Sequence, residues 1–287
     1  PRTREICAGS GGLSLALGKK GFDATGVDWM GNRHNTRIPL VMRDLTDPQQ
    51  QKEVEAMRDD SQGIHMAPPC GTASAARDIP MSAEDKAKGL PEPKPLRSKK
   101  HPLGIPGLSP YQQVKVDKAN IIYMFCVQTI IWCCEQTPMI PFTLENPIRS
   151  LLWLIPPMKK VIKRFGLALL HTHMCMLGSK RRKESGILTN RPDIFANIVK
   201  KCDGQHEHEK WGAVQDPVTG KWVFATGQGC EYPDPFCDCL AQCLADHYCT
   251  KSREAPKSRN RRPKPRQAKL RTRAEVGHQS KRLLSLC

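Results

Sequence analysis

The sequence predicts an α/β fold built on a mostly parallel sheet, and three observations carry that expectation. Residues 4–7 (REIC) read as a short strand running into the glycine-rich AGSGG and then into the helical LSLALGKKGF. Two further apolar runs, ATGVDW at 24–29 and PLVMRDL at 39–45, each bring an acid to their end and precede or follow helical stretches. The chain is also long enough for a sizeable core. Its 287 residues are 39% hydrophobic and 25% charged, which excludes collagen-like, mucin-like and wholly disordered chains.

The remaining elements follow in order. Gly21 sits where the first helix should end. TDPQQQKEVEAMRDD (46–60) predicts a helix capped by Thr46 or Asp47, with Pro48 at its first position. GIHMAPP (63–69) reads as a strand. Residues 71–110 then carry seven prolines and no apolar periodicity, the pattern of a functional lid or binding loop. Helix returns at 112–136 and strand at IPFTLEN (140–146). Residues 148–165 read as helix interrupted at Pro156-Pro157, and LALLHTHMCML (167–177) as strand. A basic segment at 180–183 and ESGILTN complete a catalytic domain over 1–190. Residues 191–229 form a small mixed region and 230–249 a closing helix. Residues 250–287 cannot bury a core and read as a disordered basic tail.

Charge points to an acidic partner. Lys and Arg total 45 against 28 Asp and Glu, a formal charge of +17. The tail alone holds 13 Lys/Arg and 2 acids, a net of +11, which leaves +6 on residues 1–249. The most apolar window, Ile121 to Cys134, contains Gln128 and Thr129 and is too short to span a bilayer, so no membrane partner is expected. Thirteen cysteines without regular spacing favour reduced thiols inside the cell over a disulfide framework. The chain begins at Pro1 and already looks like strand by residue 4, so a piece of a longer polyprotein, itself monomeric, is expected.

Three motifs carry chemistry. In Glu5-Ile6-Cys7-Ala8-Gly9-Ser10-Gly11-Gly12, glycines after a first strand let the backbone approach a ligand at a helix start. A dinucleotide fingerprint would place a third glycine where Ser14 stands, which argues against NAD. Asp28 and Asp44 end the next two strands, placed to meet a ribose and an adenine amino group, and together they indicate a nucleoside cofactor. In Ala67-Pro68-Pro69-Cys70-Gly71, two prolines pin a cysteine at the ligand-binding edge of the sheet. Leu144-Glu145-Asn146-Pro147 brings a carboxyl group to the same edge, where it can hold or share a proton.

In this order, these motifs resemble the cytosine-5 DNA methyltransferases over roughly residues 4–190, and in detail the divergent methyltransferase domains of some eukaryotic retroelements. The resemblance implies a Rossmann-like S-adenosylmethionine-dependent methyltransferase with a small mixed target-recognition region. It implies that Cys7, Ala8, Gly9, Gly11, Gly12, Leu13, Asp28, Trp29, Asp44, Leu45 and Pro68 line the S-adenosyl-L-methionine site. It also implies that Cys70 adds to carbon 6 of a flipped cytosine, that Glu145 holds N3 and the exocyclic amine, and that Arg181 or Lys183 meets the carbonyl at position 2. The chain departs from the family pattern at three places. Cys7 stands where Phe is usual, Lys180-Arg181-Arg182-Lys183 replaces the usual Q-x-R-x-R, and the C-terminal G-N-S-V signature is missing, with Glu231-Tyr232-Pro233 in its place.

DNA is the implied partner and RNA the alternative; a silent nucleic-acid-binding module of a retroelement protein is the non-enzymatic reading. Nuclear localisation follows from the DNA reading and the basic tail. Arg77, Arg97, Lys99 and Lys100 are the loop cations expected to grip phosphates. Trp211, Trp222 and Tyr232 interleave with basic residues, as on a nucleic-acid surface or in a core. Cys202, His206 and His208, with Cys230, Cys237, Cys239 and Cys243 beyond, hint at zinc, but the spacing fits no common module and no metal is expected.

Overall fold

A seven-stranded sheet of order β3-β2-β1-β4-β5-β7-β6 organises the chain, as seen in a computed structural model that describes residues 1–216 and 219–254. The strands are β1 (Arg2–Ile6), β2 (Asp23–Asp28), β3 (Val41–Met42), β4 (Gly63–Met66), β5 (Phe142–Pro147), β6 (Ala168–His173) and β7 (Glu184–Thr189). The first five run parallel, while β7 lies antiparallel between β5 and β6. This is the Rossmann-like α/β arrangement that the alternation of strands and helices predicts.

Helices cover both faces. On one face α1 (Gly12–Lys19) packs on α7 (Asp234–Glu254) through Leu13, Leu17, Phe236, Leu240 and Leu244. On the other, α2 (Pro48–Arg58), α4 (Pro110–Glu135) and α5 (Pro156–Phe165) bury Val54, Phe125, Ile130 and Val161 against Ile6, Met66 and Phe142. Of the two caps the sequence offers, Thr46 and Asp47, it is Asp47 that caps α2, accepting from the amides of Gln49 and Gln50. Ser109 and Gln112 form a reciprocal capping box that starts α4 two residues before the predicted boundary.

Several expectations change. Pro156-Pro157 does not interrupt a helix; it starts α5, because proline at the first positions gives up amides that have no partner there anyway. Residues 71–110 hold a 3-10 turn at Ala75–Asp78 and α3 (Ala83–Ala87). Arg97 is only 2% exposed, and its guanidinium donates to Thr72 Oγ1, Asn120 Oδ1 and the carbonyls of Pro102 and Val116. It therefore fastens the long segment to α4 and is not available to a phosphate, whereas Lys99 and Lys100 are exposed. The small region contains a hairpin, β8 (Ala213–Gln215) and β9 (Trp222–Phe224), followed by α6 (Ala225–Gln228). The closing helix α7 runs on to Glu254, past its expected end at 249; residues 255–287 of the expected basic tail lie outside the described residues. No helix among the described residues is long and apolar enough to cross a membrane.

One buried acid ties the first strand to the first helix. Glu5 accepts hydrogen bonds from the amide and hydroxyl of Ser14, both at 2.7 Å. Burial nevertheless pushes its pKa from 4.5 up to about 7. Such an acid favours the fold while it is protonated. Its contribution is complete below about pH 4.5 and is lost as the pH rises through about 7, a span worth on the order of 3 kcal/mol. Glu5→Gln keeps an acceptor for Ser14 but no ionisation. Its melting temperature should fall less between pH 5 and pH 8 than that of the parent protein; parallel curves would show that Glu5 does not titrate in the fold.

Candidate active site

The sheet order reverses between β1 and β4, which opens a crevice at the C-terminal ends of those strands. The turn after β1 lines it. Cys7 adopts φ 60°, a left-handed conformation that costs a non-glycine residue roughly 1 kcal/mol, and Gly9 and Gly11 share that region of backbone space. Asp28, at the end of β2, grips this turn: one carboxylate oxygen accepts from the Gly9 amide at 2.6 Å and the other from the Trp29 amide at 2.8 Å. Burial raises the Asp28 pKa, and those two amides oppose the rise. Trp29 beside it is half exposed, Ala8 is buried, and Leu13 and Leu45 belong to the core. Asp44 takes the amide and hydroxyl of Thr46 on one oxygen, so this predicted adenine contact first organises its own turn.

Two features of this turn were not legible in the sequence. Residues 32–40 lie over it, with Asn32 donating to the Gly9 carbonyl at 2.6 Å and the Arg37 amide donating to the Ser10 carbonyl at 2.8 Å. A Cβ at Gly11 would meet Ile38 and Leu40 within about 3 Å, so glycine is required for space as well as for φ. The second feature is Glu5. Its carboxylate takes the Ser14 amide, with Leu13 also contributing, and so occupies the start of α1 where a dinucleotide would seat its pyrophosphate. That amide is therefore not available to a pyrophosphate.

The second half of the site lies at the ends of β4 and β5. Pro68 is buried and Pro69 exposed, and both carbonyls are held: Asn146 Nδ2 donates to that of Pro68 at 2.9 Å and the Tyr123 hydroxyl to that of Pro69 at 2.7 Å. Thus the E-N-P motif physically fastens the P-P-C motif, and Cys70 emerges from a loop fixed by β5 and α4. Glu145 is 6% exposed. Its Oε1 accepts from Ser185 Oγ at 2.6 Å and lies 3.6 Å from Lys183 Nζ; its Oε2 accepts from the Tyr232 hydroxyl at 3.2 Å. Tyr232 in turn meets His65 Nε2 at 3.1 Å, and His65 Nδ1 meets Thr143 Oγ1 at 2.8 Å. Burial lowers the His65 pKa to about 3, which keeps the ring neutral.

The structure separates the two basic candidates. Burial opposes the Lys183 ammonium, but Glu145 and the thiols of Cys70 and Cys230 outweigh it and leave its pKa above the ordinary value. Arg181 turns away: it pairs with Glu209 at 2.8 Å, donates to the Lys210 carbonyl and stands over the Trp211 ring. Its longer side chain finds a carboxylate on the neighbouring loop, so Lys183 alone joins Glu145. Lys183, Arg181 and Tyr232 also line an open cleft of about 460 Å³.

Cys230, which sequence reasoning grouped with distant cysteines, faces Cys70. The hydrogen bond from Cys70 draws Cys230 down to about 6, with help from Lys183 and His34 against burial. The same bond, then burial, holds the proton on Cys70. The two sulfurs share a proton beside an ammonium, so the first ionisation belongs to the pair. Iodoacetamide should therefore label one thiol of the pair with a pH midpoint near 6, and Cys230→Ser should move that midpoint upward. A midpoint at about 8.5, that of a free thiol, would contradict the shared proton.

Neither a family model nor a curated protein sequence matches the chain. Solved structures that resemble it include the Dnmt2 methyltransferase of S. pombe, with 13% identity, a TM-score of 0.37, and coverage of 73% of this chain and 57% of that one. They also include the Entamoeba histolytica methyltransferase EhMeth, with 12% identity, a TM-score of 0.34, and coverage of 74% and 57%. A DNMT2 of Spodoptera frugiperda gives 12%, 0.36, and coverage of 72% and 56%. The chain spans a little over half the length of each of these structures.

Proposed function

We propose that this chain transfers a methyl group from S-adenosylmethionine to carbon 5 of cytosine in DNA. The observation that carries the reading is the convergence of Cys70, Glu145 and Lys183 at one edge of the sheet, next to a glycine turn gripped by Asp28. S-adenosylmethionine, when bound, supplies a methyl group on a cationic sulfur. The residues present fit that group: Glu5 already takes the Ser14 amide at the start of α1 and so keeps it from a pyrophosphate, while Asp28 and the half-exposed Trp29 ring offer an acceptor and a stacking face to a nucleoside.

Carbon 5 of cytosine is a poor nucleophile. In this reading Cys70 passes its proton to the Cys230 thiolate as its own sulfur adds to carbon 6, and Glu145 holds N3 and the exocyclic amine, so that carbon 5 gains enamine character. Lys183 steadies the developing charge and keeps the carboxylate in place. After methylation, loss of the proton on carbon 5 and departure of Cys70 restore the aromatic ring. The resemblance to retroelement methyltransferase domains and a nuclear setting belong to the same proposal.

The test is transfer of tritium from labelled S-adenosylmethionine to DNA and to RNA, alongside calorimetry with S-adenosylhomocysteine and NAD. Label in DNA cytosine and tighter binding of S-adenosylhomocysteine are the expected results. Label confined to RNA would move the substrate, and tighter binding of NAD would remove the cofactor. Nucleic-acid binding without transfer to either polymer would favour a silent binding module.

A further inference from the structure

We propose that Cys175, Cys202, His206 and His208 form a structural zinc site that clamps the 199–212 loop to the end of β6. Their candidate ligand atoms, two Sγ and two imidazole nitrogens, all lie within 4.8 Å of one another. The Cys202 Sγ is 3.6 Å from His208 Nε2 and 3.9 Å from His206 Nε2. Around a tetrahedral zinc with ordinary Zn–S and Zn–N bonds, neighbouring ligands stand roughly 3.3–3.8 Å apart, so the four donors need to close in by little.

The orientation of the imidazoles adds a second argument. His206 turns Nε2 toward Cys202 and places Nδ1 3.2 Å from Asp203 Oδ1. A carboxylate on the far ring nitrogen fixes the tautomer that leaves Nε2 free to ligate, the usual outer support of a metal-binding histidine. Asp203 is itself held by the Gln205 amide at 3.0 Å.

Linear spacing hid this site because the fourth ligand comes from another element. Cys175 sits in the 3-10 turn Met174–Leu177 directly after β6. The cysteines once grouped with Cys202 lie elsewhere: Cys230 faces Cys70, while Cys237 and Cys243 are in the α1–α7 core. The expectation of no metal rested on that spacing, and the fold removes its basis.

The location gives the site a purpose. The 199–212 loop has no helix or strand and buries little of its own surface. It nevertheless supports the basic segment: the Glu209 amide donates to the Lys180 carbonyl, Glu209 pairs with Arg181, and Trp211 donates to the Arg182 carbonyl. The Met174 amide, one residue before Cys175, donates to the Lys183 carbonyl. A metal here would thus stiffen the wall from which Lys183 projects, since a closed site contributes binding energy directly to folding.

The test uses the full, reduced chain stripped with chelator and titrated with zinc or cobalt(II). One tightly held equivalent is expected, and cobalt should give the intense visible bands of a tetrahedral site together with thiolate charge transfer. Cys202→Ser should lose the equivalent, His206→Cys should keep it with stronger charge transfer, and Asp203→Ala should weaken affinity by about 10–100-fold. Removing zinc should speed hydrogen exchange across 199–212. The nearby group of His171, His173 and Glu184 is the internal control, so His171→Gln should retain the metal. Absence of a tight equivalent, a pale octahedral cobalt spectrum, or loss on His171→Gln but not on Cys202→Ser would each overturn the site. A Cys175–Cys202 disulfide in protein isolated with its native metal content would overturn it as well.

Discussion

Cys70→Ser should abolish covalent capture of the base and slow methyl transfer by on the order of 10⁴–10⁶-fold, the scale seen when a nucleophile is removed. The geometry makes this the most exposed position of the proposed mechanism. The Cys70 loop is fastened through Pro68 and Pro69, and Lys183 stands beside the thiol pair. A duplex carrying 5-fluorocytosine should trap the parent protein in an adduct that survives denaturing gels, because fluorine cannot leave as a proton does. The adduct should require the methyl donor and disappear in Cys70→Ser. Cys230 is the competitor the structure introduces, since it shares a proton with Cys70. Peptide mapping of the trapped base to Cys230, Cys7 or Cys175 would overturn the assignment.

Glu145→Gln should bind DNA with little change and turn over about 10²–10⁴-fold more slowly. Glutamine still accepts from Ser185, so the fold around β5 and β7 keeps its contact. It cannot balance Lys183 at 3.6 Å, and it cannot offer a negative charge toward a protonated N3. Single-turnover transfer separates this from a binding defect. A rate within about tenfold of the parent would place the charge-stabilising group elsewhere. Tyr232→Phe is the graded companion. It removes one hydrogen bond to Glu145 Oε2 and should cost less than the charge itself, roughly 1 kcal/mol.

What the sequence revealed were features written in neighbouring residues. The Asp47-Pro48 start of α2 is decided within a few positions, and so are the strand-turn-helix at residues 2–19 and the placement of Cys70 and Glu145 at strand ends. What it concealed depended on chain closure over long separations. Nothing local shows that β7 inserts antiparallel between β5 and β6, yet that insertion delivers Ser185 and Lys183 to Glu145. Nothing local separates Arg181 from Lys183, because the partner of Arg181 is Glu209 on a loop with no regular structure. Arg97 reads as a surface cation until Thr72 and Asn120 are seen to surround its guanidinium. In each case a polar side chain was assigned to solvent or ligand when a distant polar group claimed it first.

The neutral chain Thr143–His65–Tyr232 behind Glu145 has a consequence for how the proposed reaction would end. His65 resists protonation down to about pH 3, and burial holds the Tyr232 proton far above neutrality, so this arm has no buffering capacity in the working range. It can orient Glu145 but cannot store what the substrate sheds. In the proposed reaction, the proton released from carbon 5 would therefore leave forward, by way of the thiol pair or water in the cleft beside Lys183. The back of the site behaves as an insulator and the front as the drain. Turnover should then slow with cytosine deuterated at carbon 5 whenever loss of that hydrogen limits the rate.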